Sequence, residues 1–374
     1  MKEFELKTKI IFEENAIDYV STINQKVFII SDPYIIESGM IDTILTKLEQ
    51  EYEIFSDISP DPSIETVTAG VSQLLKFDAK VIIAVGGGSA IDAAKAIMEF
   101  TKQLQKTDKF KFIAIPTTSG TGSEVTSFSV VTDKSKAVKY PLISDSLLPD
   151  VAILDTIFVK SVPPHIVADT GIDVLTHALE AYVSTNATVF SDALAEKAVQ
   201  LVFKYLYRAY KYKDDLEAKE NMHYASCLAG ISFNTASLGI NHAIAHVMGA
   251  KLSIPHGRTN SLLLPRVIEF NANITGYANT NYSIAATKYA HLAYLVGIQA
   301  ETVRLKIKKF VGEIEKLQRH MNMPTKISEC NIDKYLLDKV KEDIAEAALL
   351  DACIATNPRQ ATKSDVLEII RLIK

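Results

Sequence analysis

Hydrophobic and polar positions follow two different periods along roughly the first 155 residues. Short continuous apolar runs such as VFIISD (27–32) and KVIIAV (80–85) end at a charge, a proline or a glycine. Such runs are typical of parallel strands that are buried on both faces. Between them, segments such as SIETVTAGVSQLLKF (63–77) place apolar residues three and four positions apart, which predicts helices. This alternation predicts a doubly wound parallel sheet.

Further strands are predicted at 52–57, 110–118 and 151–155, and further helices over 41–52 and from Ser89 onward. Residues 127–144 depart from the pattern, because two β-rich stretches flank DKSK and predict a hairpin. After SVPPHIV (161–167) the spacing is helical almost to the end, and its two prolines suit the opening of a helix. The pattern predicts an α/β domain over 1–158 and an all-helical domain over 159–374.

Composition narrows the classes of function. The net charge of −5 comes without a basic block, which argues against nucleic acid or an anionic membrane as partner. Three cysteines stand far apart, so neither a disulfide framework nor a CxxC zinc site is expected. No apolar run is long enough for a membrane span, and we expect a cytoplasmic protein. Packing is the expected role of Cys353.

A glycine run follows the strand at 80–85 and precedes a helix, in VIIAVGGGSAIDAAKA. Glycines allow close backbone approach, and the helix beginning at Ser89 points free N–H groups at whatever lies above it, for which phosphate is the natural ligand. A second cluster, PTTSGTGSE (116–124), follows another strand. Two such loops can face one nucleotide-binding crevice. The alternative is a tight turn whose glycines serve packing.

Asp32 ends the strand at 27–32, where an acidic side chain commonly accepts hydrogen bonds from a ribose. A carboxylate there would also repel the 2′-phosphate of NADP. The alternative interpretation is a strand-ending SDP turn.

Histidines and carboxylates recur at helical spacing in the second half. Asp173 and His177 are four residues apart, and His242 and His246 repeat that spacing before His256. Side chains at i and i+4 share one helix face, so two helices and a loop could chelate one divalent first-row metal. Asp169 is a rival carboxylate that lies further round the helix. Asp173 and the four histidines make five candidates, one more than the usual four ligands. One histidine is therefore expected to be free for proton relay. Half-buried core histidines are the alternative.

The chain resembles the iron-containing (group III) alcohol dehydrogenase family through motifs that match in order and spacing over essentially its whole length. These motifs are GGGSAIDAAKA, IPTTSGTGSEVT, DTGIDVLTHALEAYVS, NHAIAHVMG, PHG and DACIATNPR. Smaller details, such as VKYPLISDSLLPDVAILD and LGINHAIAH, are most similar to the propanol dehydrogenases of propanediol-utilisation microcompartments. The ethanolamine-utilisation enzymes are nearly as similar.

The resemblance implies roles for particular residues. It implies an N-terminal dinucleotide-binding domain and a C-terminal metal-binding domain, with Fe²⁺ or Zn²⁺ held by Asp173, His177, His242 and His256. His246 matches a histidine associated with proton transfer, and Asp32 matches the acidic position linked to NAD preference. The remaining positions that match the cofactor site are Gly87, Gly88, Ser89, Asp92, Thr117, Thr118, Thr121, Thr126 and Lys139.

The implied activity is hydride transfer between NAD(H) and short-chain primary alcohols or aldehydes, with 1-propanol and propionaldehyde favoured. An ethanol dehydrogenase of ethanolamine utilisation and a zinc-dependent polyol dehydrogenase are alternatives of the same fold. A metal-dependent hydrolase and a non-catalytic shell-associated protein are rivals of other classes. A homo-oligomer is expected. The resemblance also implies enclosure in a bacterial microcompartment, whose shell or lumen enzymes would then be partners.

Overall fold

A computed structural model describes residues 3–106, 110–134, 138–274 and 281–374, without the side chains of residues 138, 139 and 334. The chain forms two compact units, Met1–Val162 and Pro163–Lys374. The sequence placed the boundary at residue 158, four residues before this division. Each unit has hydrophobic clusters of its own.

The first unit is built on a six-stranded sheet and a separate two-stranded hairpin. The strands are β1 (Lys9–Phe12), β2 (Val27–Ser31), β3 (Tyr52–Phe55), β4 (Val81–Gly86), β5 (Lys111–Pro116), β6 (Phe128–Asp133), β7 (Val138–Ile143) and β8 (Val151–Leu154). The large sheet has the order β1-β8-β5-β4-β2-β3, and all of its pairs are parallel. The predicted parallel sheet is therefore confirmed.

Strand β4 shows why the continuous apolar runs became central strands. Ile82 and Ala84 pack into one cluster with residues of the flanking helices, whereas Val81, Ile83 and Val85 pack into the cluster on the opposite face. All five side chains are at most 2% exposed. Burying each Ile or Val contributes about 1.5–3 kcal/mol, so both faces of the strand have to be covered.

The helices of the first unit are α1 (Pro33–Glu37), α2 (Asp42–Leu45), α3 (Ile64–Phe77) and α4 (Gly88–Gln105). Ser63 caps α3, since its hydroxyl accepts a hydrogen bond from the Thr66 N–H. The predicted helix over 41–52 was too long, because α2 ends at Leu45. Beyond Thr46 the segment offers one apolar side chain, Leu48, before β3, which leaves little apolar surface to stabilise further turns.

The predicted hairpin is confirmed by the antiparallel pairing of β6 with β7, which runs from Phe128 opposite Ile143 to Asp133 opposite Val138. Residues 135–137 of its turn lie outside the described residues. The hairpin packs against α4, so it is fixed beside the helix that follows the glycine run.

The described part of the second unit is helical and contains no strand. Its helices are α5 (Pro164–Val183), α6 (Val189–Lys211), α7 (Leu216–Ala236), α8 (Ile240–Leu252), α9 (His256–Ala272), α10 (Ile284–Leu295), α11 (Val303–His320), α12 (Lys334–Ala348) and α13 (Lys363–Leu372). Pro164 opens α5, as expected for a proline at the first helical position. Among the described residues, no helix combines the length and apolarity that crossing a membrane requires.

Candidate metal centre and nucleotide-binding loops

Three side chains on one face of α5 form the base of the candidate metal centre. Asp173, His177 and Glu180 are four and three residues apart, so they follow one another along the same side of the helix. Each is at most 4% exposed, because α5 is covered by neighbouring helices over most of its length. Buried groups of this kind need partners, which other helices supply.

Helices α8 and α9 bring the other histidines to this face. His242 lies in the first turn of α8, and His256 is the first residue of α9, directly after Pro255. Donor atoms of Asp173, His177, His242 and His256 all lie within 4.8 Å of one another. The four residues that the sequence singled out as metal ligands are thus brought together.

The dimensions of this four-residue cluster fit one small divalent cation. Asp173 Oδ1 is 3.6 Å from Nε2 of both His242 and His256, and Asp173 Oδ2 is 4.0 Å from His177 Nε2. Four ligands at about 2.1 Å from an ion are separated by roughly 3.4 Å in a tetrahedron, which is close to these separations. One carboxylate and three imidazoles suit Fe²⁺ or Zn²⁺.

Charge in the cluster also favours a cation. Burial opposes ionisation of Asp173, but the imidazoles of His177, His256 and His242 outweigh it and hold the pKa of the carboxyl well below its usual range. Burial likewise opposes a charge on His242, yet hydrogen bonds with Asp173 and Glu180 raise its pKa to about 9. The buried carboxylates of Asp173 and Glu180 are therefore stabilised by a positive charge. A metal ion supplies that charge without protonation of the imidazoles.

Glu180 and Asn260 were missed from the sequence, and both contact the predicted ligands. Glu180 Oε2 lies 2.6 Å from His242 Nδ1, which leaves Nε2 facing the cluster. Asn260 Nδ2 lies 2.7 Å from Asp173 Oδ1 and 3.1 Å from Nε2 of His242 and of His256. The spacing of Glu180, seven residues after Asp173, was a signal that the sequence offered.

Glu180→Gln is expected to weaken metal binding by about 10–100-fold, the usual cost of losing a carboxylate behind a ligating histidine. Glu180 accepts from the Asn241 backbone N–H at 2.6 Å through one oxygen and contacts His242 Nδ1 through the other. The amide of Gln would therefore place its NH₂ group against one of these two N–H groups. Competition with a chelator measures the affinity. Glu220→Gln is a control, because Glu220 accepts from the Tyr224 hydroxyl elsewhere in the unit. Equal affinities in the two variants would exclude the orienting role.

His246 lies outside the four-residue cluster. Its Nδ1 lies 2.9 Å from Asp351 Oδ2, and its ring stacks on that of His256 with 5.5 Å between centroids. The rival carboxylate, Asp169, instead forms an ion pair with Arg258 at 2.9 Å. Asp351 begins the motif DACIATNPR, but its contact with His246 was not predictable, because the two residues are 105 positions apart.

The glycine run in the first unit forms a close turn from β4 into α4. Gly86 has φ +155°, and a Cβ there would approach Ala90 Cβ to 2.6 Å. Gly87 precedes the helix and Gly88 and Ser89 form its first residues, so the positive end of α4 lies at this turn. A Cβ on Gly88 would meet Thr121 Cγ2 at 2.7 Å. The glycine run and the threonine-rich loop are therefore neighbours, as the sequence predicted.

A buried lysine holds the threonine-rich loop. Lys95 on α4 is fully buried, and its Nζ donates to the carbonyl oxygens of Thr126 and Phe128 at 2.7 Å each and to Ser123 Oγ at 3.0 Å. Burial lowers the pKa of Lys95 to about 8 despite the nearby carboxylates. No pattern in the sequence indicates this role of Lys95.

Asp92 and Thr126, predicted near the cofactor, both form hydrogen bonds that hold the threonine-rich loop. Asp92 accepts from Ser123 Oγ at 2.6 Å and from the Val130 N–H at 3.1 Å, and burial raises the pKa of its carboxyl. Thr126 Oγ1 lies 3.2 Å from Lys95 Nζ. The geometry of these two residues supports a loop-positioning role.

The other predicted cofactor residues lie at the same edge of the sheet or beside it. Thr117 is buried directly after β5, and Thr118 lies next to Gly87. Asp32 caps α1 through a hydrogen bond from the Ile35 N–H to Oδ1, while Oδ2 lies over Gly86. Burial raises the pKa of Asp32. Lys139 pairs with Thr132 in the hairpin, and its side chain lies outside the described residues.

Family models match both units of the chain. The model of the iron-containing alcohol dehydrogenases matches residues 7–156, and the model of the C-terminal part of the Fe-containing alcohol dehydrogenase family matches residues 167–373. The chain belongs to the iron-containing alcohol dehydrogenase family.

Relatives of this iron-containing alcohol dehydrogenase cover 90% or more of its length. It is 43% identical to a 1-propanol dehydrogenase of Citrobacter freundii over 99% of both chains. It is 38% identical to an NADPH-dependent butanol dehydrogenase of Clostridium saccharobutylicum, over 90% of this chain and 88% of that one. A crystal structure of a 1,3-propanediol oxidoreductase is 30% identical, with a TM-score of 0.91 and full coverage of both chains.

Membership identifies the chain as an enzyme that transfers hydride between alcohols or aldehydes and a nicotinamide cofactor. The family uses NAD(H) and Fe²⁺, and the four-residue cluster provides a donor set that fits such an ion. The expected family and reaction type are confirmed.

Proposed function

We propose that this enzyme interconverts short-chain primary alcohols and aldehydes with NAD(H), and that 1-propanol and propionaldehyde are its preferred pair. The observation that carries the proposal is the convergence of Asp173, His177, His242 and His256 on one point in a family of alcohol dehydrogenases. Similarity to the 1-propanol dehydrogenase over the full length supports the three-carbon substrate.

The four residues of the cluster would hold the metal, and Glu180 and Asn260 would fix the direction of its ligands. A divalent ion there supplies Lewis acidity toward the oxygen of the alcohol or aldehyde. Asp173, His177 and His242 are each at most 4% exposed, so water is excluded from their side of the cluster. His256 is more open, with 43% of its side chain exposed, so we assign the substrate side of the cluster to its vicinity.

His246 is assigned the proton transfer. Its ring centroid is 5.8 Å from that of His242 and 5.5 Å from that of His256, while 41% of its side chain is exposed. It therefore borders both the cluster and solvent, which a proton relay requires. Asp351 accepts from Nδ1 and leaves Nε2 as the atom that exchanges a proton.

The cofactor would be held in the first unit by the turn of Gly87, Gly88 and Ser89, where the end of α4 favours a pyrophosphate. Thr117, Thr118 and Thr121 lie at or next to this turn, and Lys139 is assigned to the nicotinamide ribose by the resemblance. The cofactor itself carries the hydride. Asp32 would favour NAD, because its Oδ2 would repel a 2′-phosphate.

The activity is tested by loading the purified protein anaerobically with Fe²⁺ and following oxidation of NADH with acetaldehyde, propionaldehyde and butyraldehyde. Oxidation of 1-propanol, 1,3-propanediol and glycerol is measured in the same series with NAD. We expect the highest kcat/KM with propionaldehyde. A preference for glycerol would assign the enzyme to the polyol dehydrogenases, and absence of NADH oxidation would refute the proposal.

Cofactor choice is tested in the same assay with two variants of Asp32. Asp32→Gly is expected to raise the NADPH/NADH ratio of kcat/KM by about 10–100-fold, which corresponds to about 1.4–2.8 kcal/mol of relieved repulsion. Asp32→Asn removes the charge but keeps an oxygen that can accept from the Ile35 N–H, so it separates repulsion from loss of the helix cap. An unchanged ratio in both variants would remove Asp32 from this role.

We further propose a homo-oligomer and, from the resemblance to propanediol-utilisation enzymes, association with the shell or lumen enzymes of a microcompartment. The similarity to the 1-propanol dehydrogenase over 99% of both chains supports this setting.

A further inference from the structure

A second group of metal-binding side chains lies beside the candidate metal centre. It consists of His246 on α8, Asp351, and Cys353 in the 3₁₀ helix Ala352–Thr356. One donor atom from each lies within 4.8 Å of the others. We call it the sulfur-containing group, because none of the four residues in the neighbouring cluster is a cysteine.

The sulfur-containing group is held in place by hydrogen bonds. The backbone N–H of Cys353 donates to Asp351 Oδ1 at 2.8 Å, while Asp351 Oδ2 lies 2.9 Å from His246 Nδ1. Asp351 thus fixes the position of both other residues. A thiol, an imidazole and a carboxylate held together in this way form a donor set that prefers Zn²⁺ or Cd²⁺ to Mg²⁺ or Ca²⁺.

We propose that His246, Asp351 and Cys353 form a second binding site for a soft divalent cation, separate from the site at Asp173. Three protein ligands leave one position for water, as in open zinc sites. The group reaches solvent, because the His246 side chain is 41% exposed and that of Asp351 is 19% exposed. A cation can therefore reach it while the first site is occupied.

Binding changes three bonds in the group. The Cys353 thiol releases its proton to solvent and the sulfur binds the cation. Asp351 gives up its hydrogen bond with His246 and binds through Oδ2, and one imidazole nitrogen of His246 becomes a ligand in its neutral form. The net exchange is one metal ion bound for one proton released from the thiol.

Occupation of this site would inhibit the enzyme. A ligating His246 has no nitrogen free to receive and pass on a proton, so turnover stops although the first site keeps its ion. This consequence rests on the proposed function of His246, whereas binding of the cation does not.

The test titrates Cd²⁺ into the metal-loaded enzyme and records the ultraviolet charge-transfer absorption of a Cd²⁺–thiolate bond. The four residues of the cluster contain no sulfur, so displacement of the first ion by Cd²⁺ adds no such absorption. We expect a signal that saturates at one Cd²⁺ per chain, with loss of alcohol dehydrogenase activity in parallel.

Two cysteine variants decide the assignment. Cys353→Ala and Cys353→Ser are expected to lose the signal and to require more than about 100-fold more Cd²⁺ for inhibition, since even partners behind a ligand contribute about 10–100-fold to metal affinity. Cys330→Ala is the matched control, because Cys330 is also partly buried and is expected to leave both readouts unchanged. No signal in the parent enzyme, or a signal that survives in the Cys353 variants, would overturn the proposal. Signal without inhibition would confirm the site and refute the role of His246.

Discussion

Asp173→Asn is expected to abolish stoichiometric metal binding and to lower kcat/KM by about 10³-fold or more. The loss follows because Asp173 supplies the only carboxylate in the described four-residue cluster and faces two imidazole nitrogens at 3.6 Å. Three neutral imidazoles and an amide bind a divalent cation far more weakly, and Lewis-acid stabilisation worth several kcal/mol is lost with the ion. Metal content by elemental analysis and steady-state rates under anaerobic Fe²⁺ measure both effects.

Asp169→Asn is the matched control. Asp169 lies one turn earlier on α5 and pairs with Arg258 instead of the cluster. This variant should keep one metal ion per chain and lose roughly 1 kcal/mol of stability or less, because Arg258 is partly exposed. If Asp169→Asn lost the metal and Asp173→Asn retained it, the assignment of the carboxylate ligand would be wrong.

Lys95→Met should destabilise the first unit by roughly 3–5 kcal/mol. The substitution fills a similar volume but leaves the carbonyl oxygens of Thr126 and Phe128 without their donor and removes the positive charge beside the buried Asp92 and Glu124. Denaturant unfolding measures the loss. Because Lys95 positions the threonine-rich loop, we also expect NADH to bind about tenfold more weakly, as measured by calorimetry.

Lys102→Met is the control for Lys95→Met, because it removes another lysine from the same helix, α4. Lys102 lies two turns further along the helix, and its Nζ donates to the Ser146 carbonyl oxygen at 3.2 Å. The substitution Lys102→Met should lower the free energy of unfolding by at most about 1 kcal/mol. Equal unfolding midpoints for the two variants would show that Lys95 contributes no more than a partly exposed side chain.

Much of the fold was predictable because its pattern is local. The apolar run of β4, the Ser63 cap of α3 and the proline that opens α5 each depend on a few adjacent residues, and each formed as expected. The exception is the helix predicted over 41–52. Its first half has helical spacing, but one apolar residue beyond Thr46 cannot stabilise further turns.

Most of the four-residue cluster was also predictable, since Asp173 with His177 and His242 with His246 repeat a four-residue spacing that a helix places on one side. Their supporting contacts were harder to predict, because those contacts join distant parts of the chain. Glu180 and His242 are 62 residues apart.

Lys95 was missed for a different reason. In the sequence it occupies a position in SAIDAAKA that any solvent-facing lysine could fill. Its burial is set by the loop at Ser123–Phe128, which folds over it from 28 to 33 residues away. Only the folded chain shows that its charge is enclosed.

The four-residue cluster draws its members from three helices of one unit, with Asn260 joining α9 to α5 across 87 residues. An ion that binds there and not to the unfolded chain fastens these segments to one another. By thermodynamic linkage, its binding free energy adds to the free energy of unfolding of the helical unit. Iron supply would then govern the lifetime of the protein in the cell as well as its rate of turnover.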